Sequence, residues 1–286
     1  MFRLLVAALV ASAVLSATPA PVLIFHGLGD MCINPGMSRI TKEIGDTLGT
    51  TAACIEIGNG ALTSFFEEFE QQAEAACKSV QNDDRFKDLE EISVMGLSHG
   101  ALIARYMIEE CELKAKVRNY VSIGGPHQGV ATLPQCSSGV MCDFINSLTD
   151  DAIYFSFVQK HVGPAGYFKD PKNFSGYQNY CTFLPALNNE GVTKRATNKL
   201  ASINHALLIM FSEDTTVYPK ESEWFGELTA DGTLLELKDT DLYKNDEIGL
   251  KALMDANKVD FVSIKGNHLQ FTDSDLQNII IPALAK

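Results

Sequence analysis

Six short apolar runs, separated by stretches of helical periodicity, constrain the fold of this chain more than any other feature of its sequence. The runs are nearly continuous in apolar residues, which is typical of strands buried on both faces. They cover residues 21–25, 53–57, 92–95, 120–123, 206–211 and 259–264. Because strands that alternate with helices form parallel sheets, the sequence predicts an α/β fold, with a mostly parallel sheet of about six strands and helices on both faces.

One long stretch, residues 127–205, interrupts the alternation because it holds no strand run of its own. Residues 144–183 within it include ten aromatic residues, a local enrichment over the 9% of the whole chain. Long segments of this kind in compact folds usually form lids or binding elements. We therefore expect a single domain over 21–286, with a helical or loop insertion at 127–205 that binds a ligand. The alternative is a small satellite core beneath an ordinary insertion.

The first 17 residues have the three parts of a secretory signal peptide. Arg3 is followed by an uncharged apolar stretch over residues 4–15 and then by small residues. This stretch is short for a bilayer and has no flanking basic cluster. We therefore expect a cleaved signal, with the cleavage site between Ser16 and Ala20, and no stable membrane insertion.

The charge balance argues against one class of partner. The chain has 23 lysines and arginines against 36 aspartates and glutamates, a formal net charge of −13. Nucleic-acid binding rests on clustered cations, and no basic run offsets this balance. We expect no nucleic-acid partner.

The seven cysteines are candidates for disulfides, since these bonds persist in the secretory pathway. They show neither CxxC spacing nor nearby histidine pairs, so the sequence predicts no zinc site, and we expect no other metal and no cofactor. Cys136 and Cys142 lie six residues apart and are candidates for a local bridge. An odd total leaves at least one thiol free or paired outside the chain. The sequon at Asn173 is a candidate for glycosylation on a surface loop.

A Gly-x-Ser-x-Gly motif over residues 96–100, centred on Ser98, is the strongest chemical signal. The predicted strand 92–95 leads directly into it, and a helix-forming stretch over 101–108 follows. This is the context of a nucleophile elbow, a sharp turn that presents a serine hydroxyl above the sheet at the positive end of a helix. The alternative is a tight turn whose serine only caps the helix.

A serine hydroxyl needs an adjacent base before it is a useful nucleophile. In α/β-hydrolases the catalytic order along the chain is serine, acid, histidine, with the histidine after the last strand. Of six histidines, His268 fits that order. Asp214 follows the strand 206–211 and is the predicted acid, with Glu213 as the second choice. The three positions predict an α/β-hydrolase fold with the insertion placed before the acid strand.

An oxyanion intermediate needs two backbone N–H donors. We expect one from His99, directly after the nucleophile, and the other from Leu28 in the small-residue loop 26–30. The alternative for this loop is a plain glycine-rich turn. Together the residues predict acyl transfer through a serine acyl-enzyme, with an ester, a thioester or an amide as substrate.

Several segments resemble the lysosomal palmitoyl-protein thioesterases, most closely the first of their two types. The segments are residues 26–30 (HGLGD), 96–100 (GLSHG), 124–130 (GGPHQGV), 142–145 (CDFI), 223–226 (EWFG) and 266–270 (GNHLQ). The resemblance implies an enzyme that removes long fatty acyl groups, chiefly palmitate, from cysteines of proteins or peptides during lysosomal degradation. Its partners would be S-acylated proteins or peptides and their acyl chains.

The resemblance also implies roles for individual positions. The family's triad corresponds to Ser98, Asp214 and His268, and its fatty-acid groove is built largely by the insertion. Its disulfides correspond to Cys77–Cys111 and Cys136–Cys142. A third family bridge joins adjacent cysteines, but here Ile33 follows Cys32, so that bridge cannot form. The pairing of Cys32, Cys54 and Cys181 therefore stays open.

Two other functions fit the same residues. A secreted lipase or carboxylesterase would use the same triad on oxygen esters. A catalytically inactive hydrolase fold would serve as a secreted binding protein, although all three triad positions are filled. The sequence does not decide between lysosome and secretion, because sorting through glycans leaves no readable signal.

Overall fold

The computed structural model describes residues 18–133, 147–191, 194 and 197–286. The predicted signal peptide and the Cys136–Cys142 pair lie outside these residues. Within them the strands are β1 (Val22–Phe25), β2 (Ala52–Cys54), β3 (Glu91–Leu97), β4 (Lys116–Ile123), β5 (His205–Phe211), β6 (Glu227–Leu228), β7 (Leu234–Leu235) and β8 (Val259–Ile264).

Six of these strands form one sheet in the order β2-β1-β3-β4-β5-β8, and every neighbouring pair is parallel. The short strands β6 and β7 form a separate antiparallel pair. The predicted α/β architecture is thus confirmed. Two boundaries differ by three residues or more: β4 begins at Lys116, four residues before the apolar run 120–123, and β2 ends at Cys54, although its apolar run continues to Ile57. Ile55 and Ile57 stay buried, but the chain leaves the edge of the sheet and turns at Gly58, where φ is +56°.

The strands are apolar throughout because both faces of the sheet are covered. Val22 and Ile24 pack on one face with residues of a long helix, α1 (Pro35–Leu48), and of the chain's C-terminal end. Leu23 and Phe25 pack on the opposite face with two further helices, Phe69–Asn82 and His99–Glu109. This alternation of neighbouring residues between two cores explains the continuous apolar runs.

Four helices connect the first strands: α1, α2 (Ala61–Phe66), α3 (Phe69–Asn82) and α4 (His99–Glu109). Shorter α-helices follow at Asp150–Ile153, Ser156–His161, Phe174–Tyr180, Leu184–Leu187, Asp241–Lys244, Leu250–Asp255, Asp273–Asp275 and Ile281–Leu284. Turns of 3₁₀-helix lie at Gly163–Tyr167, Lys199–Ser202, Lys220–Trp224 and Leu237–Asp239, and a π-helical turn at Leu276–Ile280. Along the described part of the chain, none of these helices combines the length and the apolar character that crossing a bilayer requires.

The insertion is irregular. Its described part holds short helices and a single isolated bridge between Val130 and Phe168 ahead of β5. Five of the nine aromatic residues in this described part are buried in the same cluster as α3 and α4, namely Tyr154, Tyr167, Phe168, Tyr177 and Phe183. The other four, Phe155, Phe157, Phe174 and Tyr180, are exposed. Burial of these rings shows that part of the aromatic enrichment contributes to the core.

Two disulfides are present among the described cysteines. Cys77 in α3 is joined to Cys111 just beyond α4, as the family resemblance implies. Cys32 is joined to Cys54, which closes the pairing that the sequence left open and ties the loop after β1 to the end of β2. Cys181 is a buried free thiol whose pKa is raised to about 12 by burial.

Candidate active site

Ser98 occupies the predicted sharp turn between β3 and α4. Its φ of +52° lies in the left-handed region that side chains rarely adopt. The turn requires the two flanking glycines: a Cβ at Gly96 would lie 2.2 Å from the Gly100 carbonyl oxygen, and one at Gly100 would lie 2.3 Å from the Phe25 carbonyl oxygen. The geometry is that of a nucleophile elbow rather than of a helix cap, since Ser98 makes no side-chain cap bond.

Ser98, His268 and Asp214 form a continuous chain of hydrogen bonds. The Ser98 Oγ lies 2.8 Å from His268 Nε2, and His268 Nδ1 lies 2.5 Å from Asp214 Oδ2. With Nδ1 protonated, His268 donates a hydrogen bond to the carboxylate and accepts one from the Ser98 hydroxyl at Nε2. The loops that follow β3, β5 and β8 bring these residues together at the carboxyl edge of the sheet, from 170 and 54 positions apart in sequence.

Asp214, and not Glu213, contacts the histidine. The Asp214 side chain is fully buried, whereas Glu213 is exposed. The Asp214 Oδ1 accepts hydrogen bonds from the backbone N–H groups of Thr216 and Val217, at 2.7 and 2.9 Å. Burial raises the pKa of Asp214, but hydrogen bonds, first of all the one to His268, outweigh burial and hold the pKa below its ordinary value. The acid is thus a fixed, ionised acceptor.

Asn267 joins the loop after β5, which carries Asp214, to the loop after β8, which carries His268. This role was not predicted from the sequence. The Asn267 Oδ1 accepts from the backbone N–H of Thr215 at 3.0 Å and from that of His268 at 2.7 Å. Its Nδ2 donates to the Thr215 hydroxyl. The one available signal was the position of Asn267 directly before the histidine.

Of the two expected oxyanion donors, Leu28 lines the cavity beside Ser98, and His99 follows Ser98 directly in the chain. Leu28 lies in the cavity wall with Ser98, and a Cβ at Gly27 would be only 3.7 Å from the Ser98 Cβ. His99 is the first residue of α4, so its N–H has no partner within the helix. The Gly29 N–H donates to the Ser64 hydroxyl at 2.9 Å and so fixes the loop that carries Leu28.

The His99 side chain points away from Ser98 and into the core. Its Nε2 lies 2.9 Å from Gln72 Oε1, and its Nδ1 lies 3.4 Å from the Tyr167 hydroxyl. Burial lowers the pKa of His99 to about 3, with a smaller contribution from His26. His99 is therefore neutral and structural, and it links the elbow to α3 and to the insertion.

The remaining histidines have partners of their own away from Ser98. These contacts are His26 with Glu56, His127 with Ser122, His161 with the Phe157 carbonyl oxygen and His205 with Asp260. Of the six, His268 is the one that contacts the nucleophile. Position along the chain thus selected the histidine that lies within hydrogen-bond distance of Ser98.

A cavity of about 400 Å³ opens beside Ser98. Its apolar wall, called the pocket wall below, consists of Phe65, Val130, Tyr167, Val217 and Leu269. Of the described part of the insertion, only Val130 and Tyr167 line the cavity. The pocket wall is thus formed by residues of α2, of the loops after β5 and β8, and of the insertion.

Two groups of metal-ligating side chains occur in the described part of the chain, and neither is free to bind an ion. One is His26, Cys32 and Glu56, but the Cys32 sulfur is bonded to Cys54. The other is Asp214, Glu223 and His268, where both histidine nitrogens are already engaged.

The glycosylation candidate Asn173 is half-buried at the start of the helix Phe174–Tyr180. Its Oδ1 accepts a hydrogen bond from the Gly176 N–H at 2.9 Å. The side-chain amide nitrogen, to which a glycan would be attached, takes no part in this cap.

Comparison with known proteins gives a consistent result. The family model described as palmitoyl protein thioesterase matches residues 21–268. Palmitoyl-protein thioesterase 1 of Caenorhabditis elegans is 34% identical over 91% of this chain and 90% of its own length. Palmitoyl-protein thioesterase 3 of Dictyostelium discoideum is 32% identical over 90% of this chain and 88% of its own. A solved esterase of Pyrococcus furiosus, 14% identical, covers 94% of this chain and 82% of its own with a TM-score of 0.47. The family model and these two relatives show that the chain belongs to the palmitoyl protein thioesterase family.

Proposed function

We propose that this chain hydrolyses long-chain fatty acyl thioesters, palmitoyl ones foremost, on cysteines of S-acylated proteins or peptides. The observation that carries the proposal is the unbroken hydrogen-bond chain from Ser98 through His268 to Asp214, at the wall of an apolar cavity in a member of this family. A serine acyl-enzyme follows from that arrangement.

The reaction proceeds in two halves. In the first, Ser98 Oγ attacks the thioester carbonyl carbon while its proton moves to His268 Nε2. The carbon–sulfur bond then breaks, and the cysteine sulfur leaves with the proton from His268. In the second half, water attacks the acyl ester, gives its proton to His268, and the fatty acid leaves as Ser98 recovers its hydroxyl proton.

Charge that develops on the carbonyl oxygen needs fixed donors. The N–H groups of Leu28 and His99 are the donors that we propose, and removal of one such donor typically costs about 2.7–4 kcal/mol of transition-state stabilisation. The positive end of α4 favours the same negative charge.

The acyl chain would lie along the pocket wall. Each methylene moved from water to an apolar surface contributes about 0.8 kcal/mol. A long chain therefore gains much more from Phe65, Val217 and Leu269 than a short one does, which favours palmitoyl over acetyl groups.

We also propose that the chain enters the secretory pathway through a signal at residues 1–17 and acts in the lysosome as a single domain. Two disulfides support an oxidising compartment. A 26% identical relative from Drosophila melanogaster carries the name lysosomal thioesterase. Glycosylation at Asn173 would fit the same route.

A direct comparison of substrates tests the activity. Purified protein is given a peptide that carries palmitoyl-cysteine and a matched peptide that carries palmitoyl-serine, and kcat/KM is measured for both. We expect the thioester to be the better substrate. Preferential cleavage of the oxygen ester would instead identify a lipase or carboxylesterase.

A serine-directed fluorophosphonate probe tests the nucleophile. We expect labelling that is lost in Ser98→Ala and retained in Ser274→Ala, which changes an exposed serine. Absence of labelling in the folded wild-type protein would favour an inactive binding protein.

A further inference from the structure

A second carboxyl group, that of Glu223, is buried behind the catalytic acid. Glu223 lies in the 3₁₀ turn Lys220–Trp224 and is completely buried. Its Oε2 accepts a hydrogen bond from the Phe211 N–H at 2.9 Å. Its Oε1 is also buried, and no N–H or hydroxyl in the described part of the chain donates to it.

The neighbour of this carboxyl group is Asp214. Glu223, Asp214 and His268 each bring one potential ligand atom within 4.8 Å of the others. Two ionised carboxylates so close together in a dry site repel each other and have no proton to share, so one of the two holds a proton. That proton satisfies the otherwise unpaired Glu223 oxygen by a hydrogen bond between the two groups.

The proton belongs on Glu223 because the two groups have different partners. Asp214 receives hydrogen bonds from two backbone N–H groups and from His268, all of which favour its ionised form. Glu223 receives one. Burial, and then the neighbouring Asp214, raise the pKa of Glu223 to about 10, so the group is neutral at physiological pH.

The geometry points to Glu223 as a positioning residue: as a neutral carboxylic acid it donates a hydrogen bond from Oε1 to Asp214 and holds that carboxylate in line with His268. The inference rests on the proposed role of the Ser98 triad. Glu223 touches neither the nucleophile nor the acyl group and acts through Asp214.

The turn that carries Glu223 is anchored on both sides of it. The Trp224 indole N–H donates to the Leu208 carbonyl oxygen of β5 at 3.0 Å. The Ser222 hydroxyl donates to the Gly129 carbonyl oxygen at 2.7 Å and accepts from the Gln128 N–H at 3.0 Å. Glu223 thus has little freedom to move away from Asp214.

Two substitutions separate a proton donor from a space filler. Glu223→Gln keeps an acceptor for Phe211 and a permanent N–H donor for Asp214, whereas Glu223→Leu removes both. We expect kcat/KM of the glutamine variant to stay within about threefold of wild type. We expect kcat/KM of the leucine variant to fall about ten- to a hundredfold, because a hydrogen bond to a charged group is lost.

The dependence of activity on alkaline pH distinguishes a proton donor from a residue with a purely structural role. The ionisable groups around Glu223 are Asp214 from the loop after β5, His268 from the loop after β8 and Glu221 on its own turn. Above about pH 10 the wild-type Glu223 loses its proton, the donor disappears and activity falls. Glu223→Gln has no such proton and should keep its activity there.

Each outcome bears on the inference. A glutamine variant as slow as the leucine variant, a leucine variant as fast as wild type, or identical alkaline profiles of wild type and Glu223→Gln would overturn it. If thermal unfolding shows that Glu223→Leu does not fold, the alkaline comparison decides alone. The rate of fluorophosphonate labelling is measured in parallel, because it depends on the triad and not on the acyl substrate. If Glu223→Gln is labelled about as fast as wild type and Glu223→Leu is labelled more slowly, but none of them hydrolyses the thioester, the proposed function is rejected and the inference stands.

Discussion

Two regions meet at Ser98 and are held in different ways. The catalytic edge, defined as residues 98, 212–216 and 265–268, is fixed by directional hydrogen bonds at the carboxyl ends of three strands. The pocket wall is apolar and is assembled from α2, the insertion and two loops. We infer that substitutions at the edge change the rate for every substrate, while substitutions at the wall change stability and acyl-chain preference.

Removal of the nucleophile should have the largest effect. Ser98→Ala is expected to lower kcat by at least about 10⁴-fold, because no acyl-enzyme can form. Its hydroxyl bonds only to His268 among the contacts described, so the thermal midpoint should stay close to that of wild type. Turnover of palmitoyl-cysteine peptide and calorimetry measure the two. Residual activity above a few per cent of wild type would contradict the role of Ser98.

Asp214→Asn should have the next largest effect. An amide in place of the carboxylate favours the wrong tautomer of His268, and a loss of about 10³- to 10⁴-fold in kcat is expected. Glu213→Gln is the matched control, because that neighbouring side chain is exposed, and it should change kcat less than twofold. Equal losses in both variants would mean that general charge, not the Asp214–His268 contact, matters at the edge.

Lys169→Met should affect the wall rather than the edge. Lys169 is buried and lies 2.6 Å from Glu227 and 3.1 Å from Glu190. Its backbone N–H donates to the carbonyl oxygen of Val130, a member of the pocket wall, and so ties the two segments together. Loss of the buried ammonium group leaves two half-buried carboxylates uncompensated, and a decrease of about 3 kcal/mol in the free energy of unfolding is expected.

Denaturant unfolding measures this change, with Lys172→Met as the control because Lys172 is exposed. At temperatures where Lys169→Met is folded, its kcat on a short acyl thioester should remain near wild type. A fall in kcat on short and long chains alike would break the distinction between edge and wall.

The sequence predicts the edge better than the wall, for a physical reason. Ser98, Asp214 and His268 each follow a strand, and parallel strands bring their carboxyl ends to one edge of the sheet. Their order along the chain is therefore enough to place them together. The Cys32–Cys54 bridge and the position of Glu223 behind Asp214 depend on how separate loops pack, and no local periodicity encodes that. The same holds for the pocket wall, whose members come from segments as distant as Phe65 and Leu269.

The acid limb of the pH profile tests the edge without mutation. A base that already holds a proton cannot accept one from Ser98, so kcat/KM should fall about tenfold per pH unit on the acid side. The lowered pKa of Asp214 keeps that group ionised through the range, so the limb should show one ionisation and not two. A limb of slope two would mean that Asp214 loses its charge in the same range, and a flat profile down to pH 4 would mean that another group is the base.

The smallest effect is expected from Phe65→Ala at the wall. Phe65 lines the cavity, and its neighbour Phe66 in the same helix does not, although both are partly buried. Loss of the ring removes apolar surface from a long acyl chain, about 1 kcal/mol or fivefold in kcat/KM for a palmitoyl thioester. A butyryl thioester is too short to gain from that surface and should react as with wild type. Phe66→Ala should leave the ratio between the two substrates unchanged. If Phe65→Ala slows both substrates equally, this part of the wall orients the reacting carbonyl and the separation between edge and wall does not hold at α2.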